Sequence, residues 1–182
     1  MRDGDSELVQ RAQEGDDGAL HDLVDQYADG LFRLAFSLVG NAPDAEDVVQ
    51  ETFLGAFRRL RGFEGRSSVK TWLTRILVRQ AARHHRRRSV RRTVPLDVEG
   101  RESGAGVETG PTTAEDVTMR MDVEEALGAL STDHREVVVL REMQGMSYAE
   151  IAEVLDLPAG TVESRLFRAR QHLKELLKGY MP

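Results

Sequence analysis

The stretch SYAEIAEVLDLPAGTVESRLFRARQHLKELL, residues 147–177, decides the fold. It holds two helical patterns separated by a tight break. Tyr148, Ile151, Ala152 and Leu155 recur at i, i+3, i+4 and i+7, which lays one apolar stripe along a short helix. Ser147 with Glu150 three residues on forms a capping box for its first turn. Asp156-Leu157-Pro158 stops it, because proline cannot continue the hydrogen-bond ladder and pushes its predecessor out of the helical region. A second helix starts near Ala159 or Gly160. Its apolar stripe is Val162, Leu166, Ala169, Leu173 and Leu176 or Leu177, while Thr161, Ser164, Arg165 and Arg168 share another face. This is the layout of a helix-turn-helix, a support helix followed by one whose N-terminal polar residues can enter a major groove. Two short helices in a bundle would share the geometry. Arg165, Arg168 and Arg170 point instead to DNA, since arginine's planar fork matches a phosphate or a guanine edge.

Working outward, the chain of 182 residues is read as all-α, with two small helical domains joined by a flexible linker. The expected boundaries are residues 1–92, an acidic linker over 93–116, and residues 117–182. From Thr93 to about Asp116 helical periodicity vanishes, and Pro95, Gly100, Gly104, Gly106, Gly110 and Pro111 crowd a segment with few large apolar residues. There is no cysteine, hence no disulfide framework and no thiolate metal site, and no apolar run approaches a membrane span. The chain is expected to be cytoplasmic, without membrane insertion and without a cofactor.

A net charge of −6 looks wrong for a nucleic-acid binder, but its distribution is uneven. Residues 1–64 hold 14 acidic and 6 basic side chains, residues 65–96 hold 10 basic and no acidic ones, and residues 97–125 hold 9 acidic and 2 basic. The middle block is a helix expected over about Val69 to Arg88, capped by Ser67 or Ser68 and packing through Leu73, Ile76, Leu77 and Trp72. Arg75, Arg79, Arg83 and Arg86 fall in line along it, and basic residues continue to Arg91 and Arg92. Four like charges so close repel one another, which a nucleic-acid backbone would compensate; a solvated basic face or an acidic protein partner is the alternative. His84 and His85 are adjacent, point apart on a helix and make a poor metal pair.

Upstream, Ser6 is read as the cap of a short first helix ended by Gly15, and a long helix runs from about Gly18 to Val39 with Gly40 as its stop. A third runs from Asp44 to about Arg61. Its outer stripe, Asp47, Gln50, Glu51 and Leu54, is either a solvated face or a docking surface with Leu54 as the apolar contact. A magnesium site from Asp44, Asp47 and Glu51 lacks convergent ligands elsewhere. Downstream, a helix from Val117 to Leu130 offers Val117, Met121, Val123, Leu127 and Leu130 for packing. Asp133 with Glu136 is read as a second capping box, and Val137, Val138, Leu140 and Met143 as facing inward on the next helix. The run Val137–Val139 suits a strand, but without a strand partner it is read as helix.

Taken together, DAEDVVQETFLGAFRRL (44–60), FEGRSSVKTWLTRILVRQAARHHRRR (63–88) and LSTDHREVVVLREMQGMSYAEIAEVLDLPAGTVESRLFRARQHL (130–173) resemble an extracytoplasmic-function (group 4) sigma factor, the compact bacterial class with domains 2 and 4 only. The resemblance covers about residues 6–177. It implies a non-catalytic protein that binds core RNA polymerase and directs it to promoters through −10 and −35 elements. Asp47, Gln50, Glu51 and Leu54 then look like the surface that docks on the β′ clamp helices. The loop Phe63 to Ser68 and the helix after it look like the −10 reader, which captures a flipped base and holds the melted non-template strand, with Arg66, Lys70, Trp72, Arg75, Arg79 and Arg83 as its residues. The linker looks like the segment threaded toward the RNA exit path. The C-terminal domain looks like the reader of −35 duplex, docked on the β flap, through Thr161, Glu163, Ser164, Arg165, Phe167 and Arg168. An anti-sigma factor is a further partner of the class. Two departures stand out: Glu163 occupies a place where many members carry Lys or Arg, and Arg79-Gln80 replaces an Asn-containing pair. At these positions neither the −35 sequence nor the −10 base preference carries over from relatives.

The rivals are an autonomous helix-turn-helix regulator, which would bind duplex DNA as a dimer without polymerase, and a metal-dependent nuclease using Asp44, Asp47 and Glu51. The basic helix and the absence of a ligand or phosphoacceptor domain argue against the first.

Overall fold

A computed structural model describes the backbone of residues 3–92 and 114–178. Its helices are α1 (Asp3–Gln13), α2 (Asp17–Val39), α3 (Ala42–Arg59), α4 (Val69–Arg92), α5 (Ala114–Ala129), α6 (Thr132–Val138), α7 (Tyr148–Leu155) and α8 (Ala159–Leu176). A 3-10 turn at Leu60–Gly62 extends α3, and a π-helical turn at Val139–Met143 extends α6. The described residues form no strand.

The boundaries follow local chemistry. Asp16 caps α2 by accepting from the amides of Gly18 and Ala19, and Gly40 ends it in the left-handed region at φ 84°, its N–H donating to the Phe36 carbonyl. Asn41 caps α3, with Pro43 inside the first turn where no amide is needed. Ser68 caps α4, accepting from the Thr71 amide at 3.0 Å. Ser6 has no such role: α1 begins at Asp3, which places Ser6 within its first turns.

Helix α2 is the spine of the N-terminal half, lying against α1, α3 and α4. It buries Leu23, Leu31, Leu34 and Leu38, which meet Val48, Phe53 and Ala56 of α3 and Leu73, Ile76 and Leu77 of α4. Each such leucine contributes about 1.5–3 kcal/mol of burial. At the other end, Arg88 and His84 of α4 reach Asp44 at the start of α3, at 2.7 and 3.3 Å. The Asp44 carboxylate therefore faces α4. Among the described residues no cluster of three or more potential ligands could hold a metal ion.

In the C-terminal half, α6 packs on α8 and α7 packs on α8. Four consecutive residues, Val137 to Leu140, are buried, which a helix tolerates only when more than one face is covered. The cap of α6 is Ser131, accepting from the His134 amide, and not Asp133; Asp133 turns instead to Arg165. Met143, expected inside, is 52% exposed. The π turn explains this, since one extra residue per turn advances the phase by about 100° and rotates Met143 outward. Met121 and Val123 are also exposed, because α5 contributes to the core only near its end, through Ala126, Leu127 and the following Leu130. Val117 and the side chains of Arg91 and Arg92 fall outside the residues whose side chains are described; of the linker expected over 93–116, residues 93–113 lie outside the described residues and Ala114 to Asp116 belong to α5.

The two halves meet. Helix α7 lies along α4, and α6 with its π turn touches α2, so the buried apolar residues of both halves belong to one continuous cluster.

Candidate nucleic-acid interface

The loop after α3 is built around an aromatic pair. Phe63 and Trp72 lie 4.7 Å apart between ring centroids, tilted by 38°, both partly buried. The Gln13 side-chain amide donates to the carbonyls of Leu60 and Phe63, each at 2.9 Å, which fixes the loop to α1. Gly65 takes φ 69°, a turn that other residues resist. Arg66 stands exposed with only Glu64 beside it at 3.1 Å. Lys70, Arg79 and Arg83 are exposed along α4, so the aromatic pair is followed by a row of exposed cations. Arg75 differs from its neighbours in the line: it is partly buried and paired with Glu153 of α7.

The helix-turn-helix forms as the spacing predicts. Ser147 and Glu150 make the reciprocal capping box, with Ser147 accepting from the Glu150 amide and Glu150 accepting from the Ser147 amide. Asp156 ends α7 in the left-handed conformation at φ 56°, one that aspartate tolerates better than most residues, and Pro158 opens α8. Val162, Leu166 and Ala169 seat α8 in the core. That leaves Glu163, Ser164, Phe167 and Arg168 exposed on its outer face, Phe167 at 64%. Thr161 is partly buried at the first turn, and its carbonyl accepts from the Ser164 hydroxyl at 3.0 Å. Arg165 is pulled back to Asp133 at 2.7 Å, and Arg170 to Glu142 at 2.6 Å. The fold thus brings Glu163, Ser164, Phe167 and Arg168 to one open surface and holds Arg165 at its edge.

The third set lies on α3, beside α4, where the Glu51 carbonyl accepts from the Gln80 side chain at 3.4 Å. Asp47, Gln50, Glu51 and Leu54 form an exposed stripe on α3, with Leu54 49% accessible amid polar neighbours. An apolar side chain so placed is well suited to an interface centre.

Sequence reasoning missed Arg135. Its guanidinium donates to the carbonyls of Leu127, Gly128 and Leu130, and across the fold to Leu38 at 2.8 Å. His85 Nε2 lies 3.1 Å from that same Leu38 oxygen. Burial lowers the pKa of Arg135 and of His85. Nothing in the periodicity marks Arg135, because its partners are backbone oxygens that every sequence has.

A folded unit that carries a cationic helix beside an aromatic pair, together with a helix-turn-helix, has the layout of a DNA-reading protein. Residues 23–91 match the family described as Sigma-70 region 2, and residues 120–173 that described as Sigma-70, region 4. The chain is 36% identical to the RNA polymerase sigma-H factor of Pseudomonas aeruginosa, over 96% of this chain and 94% of that one. It is 34% identical to the ECF RNA polymerase sigma-E factor of Haemophilus influenzae, over 97% of each. Among solved structures it resembles CnrH in complex with the cytosolic domain of CnrY, with a TM-score of 0.71 and 31% identity over 97% of this chain and 99% of that one. It also resembles the sigma factor RpoE in complex with the anti-sigma factor NepR from Bartonella quintana, with a TM-score of 0.70 and 29% identity over 87% and 96%. The chain belongs to the extracytoplasmic-function sigma factors, which bind core RNA polymerase and direct promoter-specific initiation.

Proposed function

We propose a division of labour among the three surfaces. The loop at residues 63–68 and α4 read the −10 element, with Trp72 and Phe63 offering a stacking edge for an unstacked base and Arg66, Lys70, Arg75, Arg79 and Arg83 tracking the melted strand. Helix α8 reads the −35 duplex through Ser164, Phe167, Arg168 and Glu163, with Thr161 and Arg165 at the phosphate edge. Glu163 repels phosphate but can accept from cytosine N4, so it selects for a cytosine in reach. Asp47, Gln50, Glu51 and Leu54 dock on the β′ clamp helices, and the C-terminal half on the β flap. The N-terminal domain ends near residue 92 and the C-terminal one begins within α5. The protein acts in the cytoplasm, performs no catalytic step, and is held by an anti-sigma factor, as the solved relatives CnrH and RpoE are seen with CnrY and NepR.

The observation that carries this reading is the exposed Leu54 stripe on α3 alongside the exposed cations of α4, two chemistries on one scaffold. An autonomous helix-turn-helix regulator has no use for the first. Run-off transcription with purified core polymerase on fragments of the source genome tests it, with promoter-specific transcripts expected only when the chain is added. If no fragment gives one, this reading fails.

A further inference from the structure

Helix α1 carries none of the residues assigned to DNA or to polymerase, yet its last side chain reaches the loop beside α4. Gln13 is partly buried, and its amide nitrogen donates to the carbonyls of Leu60 and Phe63, each at 2.9 Å. Helix α1 is itself pinned at both ends. Near its start the Gln26 side chain of α2 donates to Asp5 at 2.8 Å, and near its end Arg11 pairs with Asp16, the cap of α2, at 2.7 Å. A fixed strap thus delivers two hydrogen bonds to the turn that leaves α3. Between the two carbonyls Arg61 and Gly62 are exposed, and the space beside Gly62 is open, so packing does not set the backbone path there. The Gln13 amide does. Because the peptide unit is planar, holding the Phe63 carbonyl orients the backbone that carries the Phe63 ring, 4.7 Å from Trp72.

We infer that Gln13 is a positioning residue for the base-capturing loop: it stays off the DNA and holds Phe63 against Trp72, so that the aromatic edge is already formed when a base leaves the stack. The inference deepens the proposed −10 reading and rests on it. A flipped base has to recover its lost stacking on the protein, and a surface that must order itself at that moment returns less of it. Loops reach the required precision when supporting hydrogen bonds lock them from behind. Helix α1 thereby acts in promoter melting without touching the strand.

The test uses holoenzyme assembled from core polymerase and the full chain, on a promoter fragment that the wild type transcribes. Gln13→Met keeps the length of the side chain and removes both donors. Abortive-initiation kinetics separate the binding constant of the closed complex from the rate of its isomerisation to the open one. Isomerisation is expected to slow by about tenfold, the scale of two neutral hydrogen bonds, with closed-complex binding within about twofold of wild type. An unchanged isomerisation rate, or equal losses in both constants, overturns the inference. In the free chain Trp72 is the one tryptophan and reports the loop directly. Acrylamide quenching of its fluorescence is expected to rise in Gln13→Met at unchanged circular dichroism, and unchanged quenching also overturns the inference. If Gln13→Met does not fold, Gln13→Asn takes its place with the same expected and overturning results, since its amide is one methylene too short to reach both carbonyls. Trp72→Leu separates the two levels. Isomerisation that is indifferent to Trp72→Leu sinks the −10 reading itself, whereas isomerisation slowed by Trp72→Leu and not by Gln13→Met sinks the role of Gln13 alone.

Discussion

Helix α4 carries cations inside a contact with the rest of the chain, whereas α8 presents its reading residues to solvent. On α8 one apolar seam, Val162, Leu166 and Ala169, faces the core, and Glu163, Ser164, Phe167 and Arg168 face out. On α4 the buried set, Val69, Thr71, Leu73, Thr74, Ile76, Leu77, Val78 and Ala81, covers more than one face, because α2 and α3 pack on one side and α7 on another. A helix with a single seam can keep a permanently open reading face. One enclosed on two sides keeps only part of its cations open: Lys70, Arg79 and Arg83 are exposed, whereas Arg75 is held by Glu153.

The seam under α8 is the first place to break this contrast. Leu166 is 1% exposed, and Leu166→Ala is expected to cost about 3–4 kcal/mol through lost burial and the cavity left behind. In a urea titration the midpoint falls, and −35 duplex binding is lost because α8 is no longer presented. A loss below about 1 kcal/mol means the seam is not what holds the reading face in place.

The second test concerns the place where the two helices come closest in charge. Glu136 has its pKa raised to about 7, first by burial and next by Asp133 on the same helix; Arg165 of α8 and Arg86 of α4 act the other way. Its value is about 4.5 in an unfolded chain, so native Glu136 favours the protonated form. The stability linked to it is greatest below about pH 4.5 and is lost as pH rises through about 7, by at most about 3 kcal/mol. His85 acts oppositely: burial lowers its pKa, and its share is lost as pH falls through about 6.5. The informative quantity is thus the wild-type stability minus that of Glu136→Gln, measured by urea unfolding from pH 5 to pH 8. The difference is expected to decline with pH, and a flat difference means the carboxyl is ionised throughout.

How much of this was legible in the sequence depended on whether the signal was local. The capping box at Ser147, the stop at Pro158 and the α8 seam from Val162 to Ala169 are set by neighbours within a few residues and took the expected form, whereas Leu176 at the far end of the expected stripe is exposed. Ser6, the Asp133–Glu136 box and the inward placement of Met143 failed for local reasons with nonlocal causes: α1 starts earlier, Arg165 claims Asp133, and a π turn shifts the phase. The cationic line on α4 was visible, but its partner was not, since Glu153 lies 78 residues from Arg75. For the candidate sites, spacing identified which residues share a face. It could not say that Arg75 and Arg165 are committed elsewhere in the free chain while Arg168 stands exposed.

That last difference yields a third expectation. Arg168→Ala is expected to weaken −35 binding by about 1–3 kcal/mol and to relax preference at one base pair, as for a bidentate contact to a base edge. Binding is compared by competition with duplexes substituted at each position. An equal loss on every duplex assigns Arg168 to phosphate.

The smallest effect belongs to the exposed track on α4, where Arg79 stands in solvent without the shielding that Arg75 has. A cation there gains little from low dielectric and acts through the counterions it displaces from a strand. Arg79→Ala is therefore expected to reduce single-strand affinity by about 1 kcal/mol or less at moderate salt, uniformly across sequences. It is also expected to lower the slope of log K against log salt by about 0.7, the share of one phosphate on a single strand. The two helices then separate on one plot: Arg168→Ala shifts the binding line for one base pair at nearly constant slope, and Arg79→Ala changes the slope for every sequence. An unchanged slope for Arg79→Ala removes that residue from the track and leaves Lys70 and Arg83 to carry it, and a base-selective loss makes α4 a reader of bases as well as of backbone.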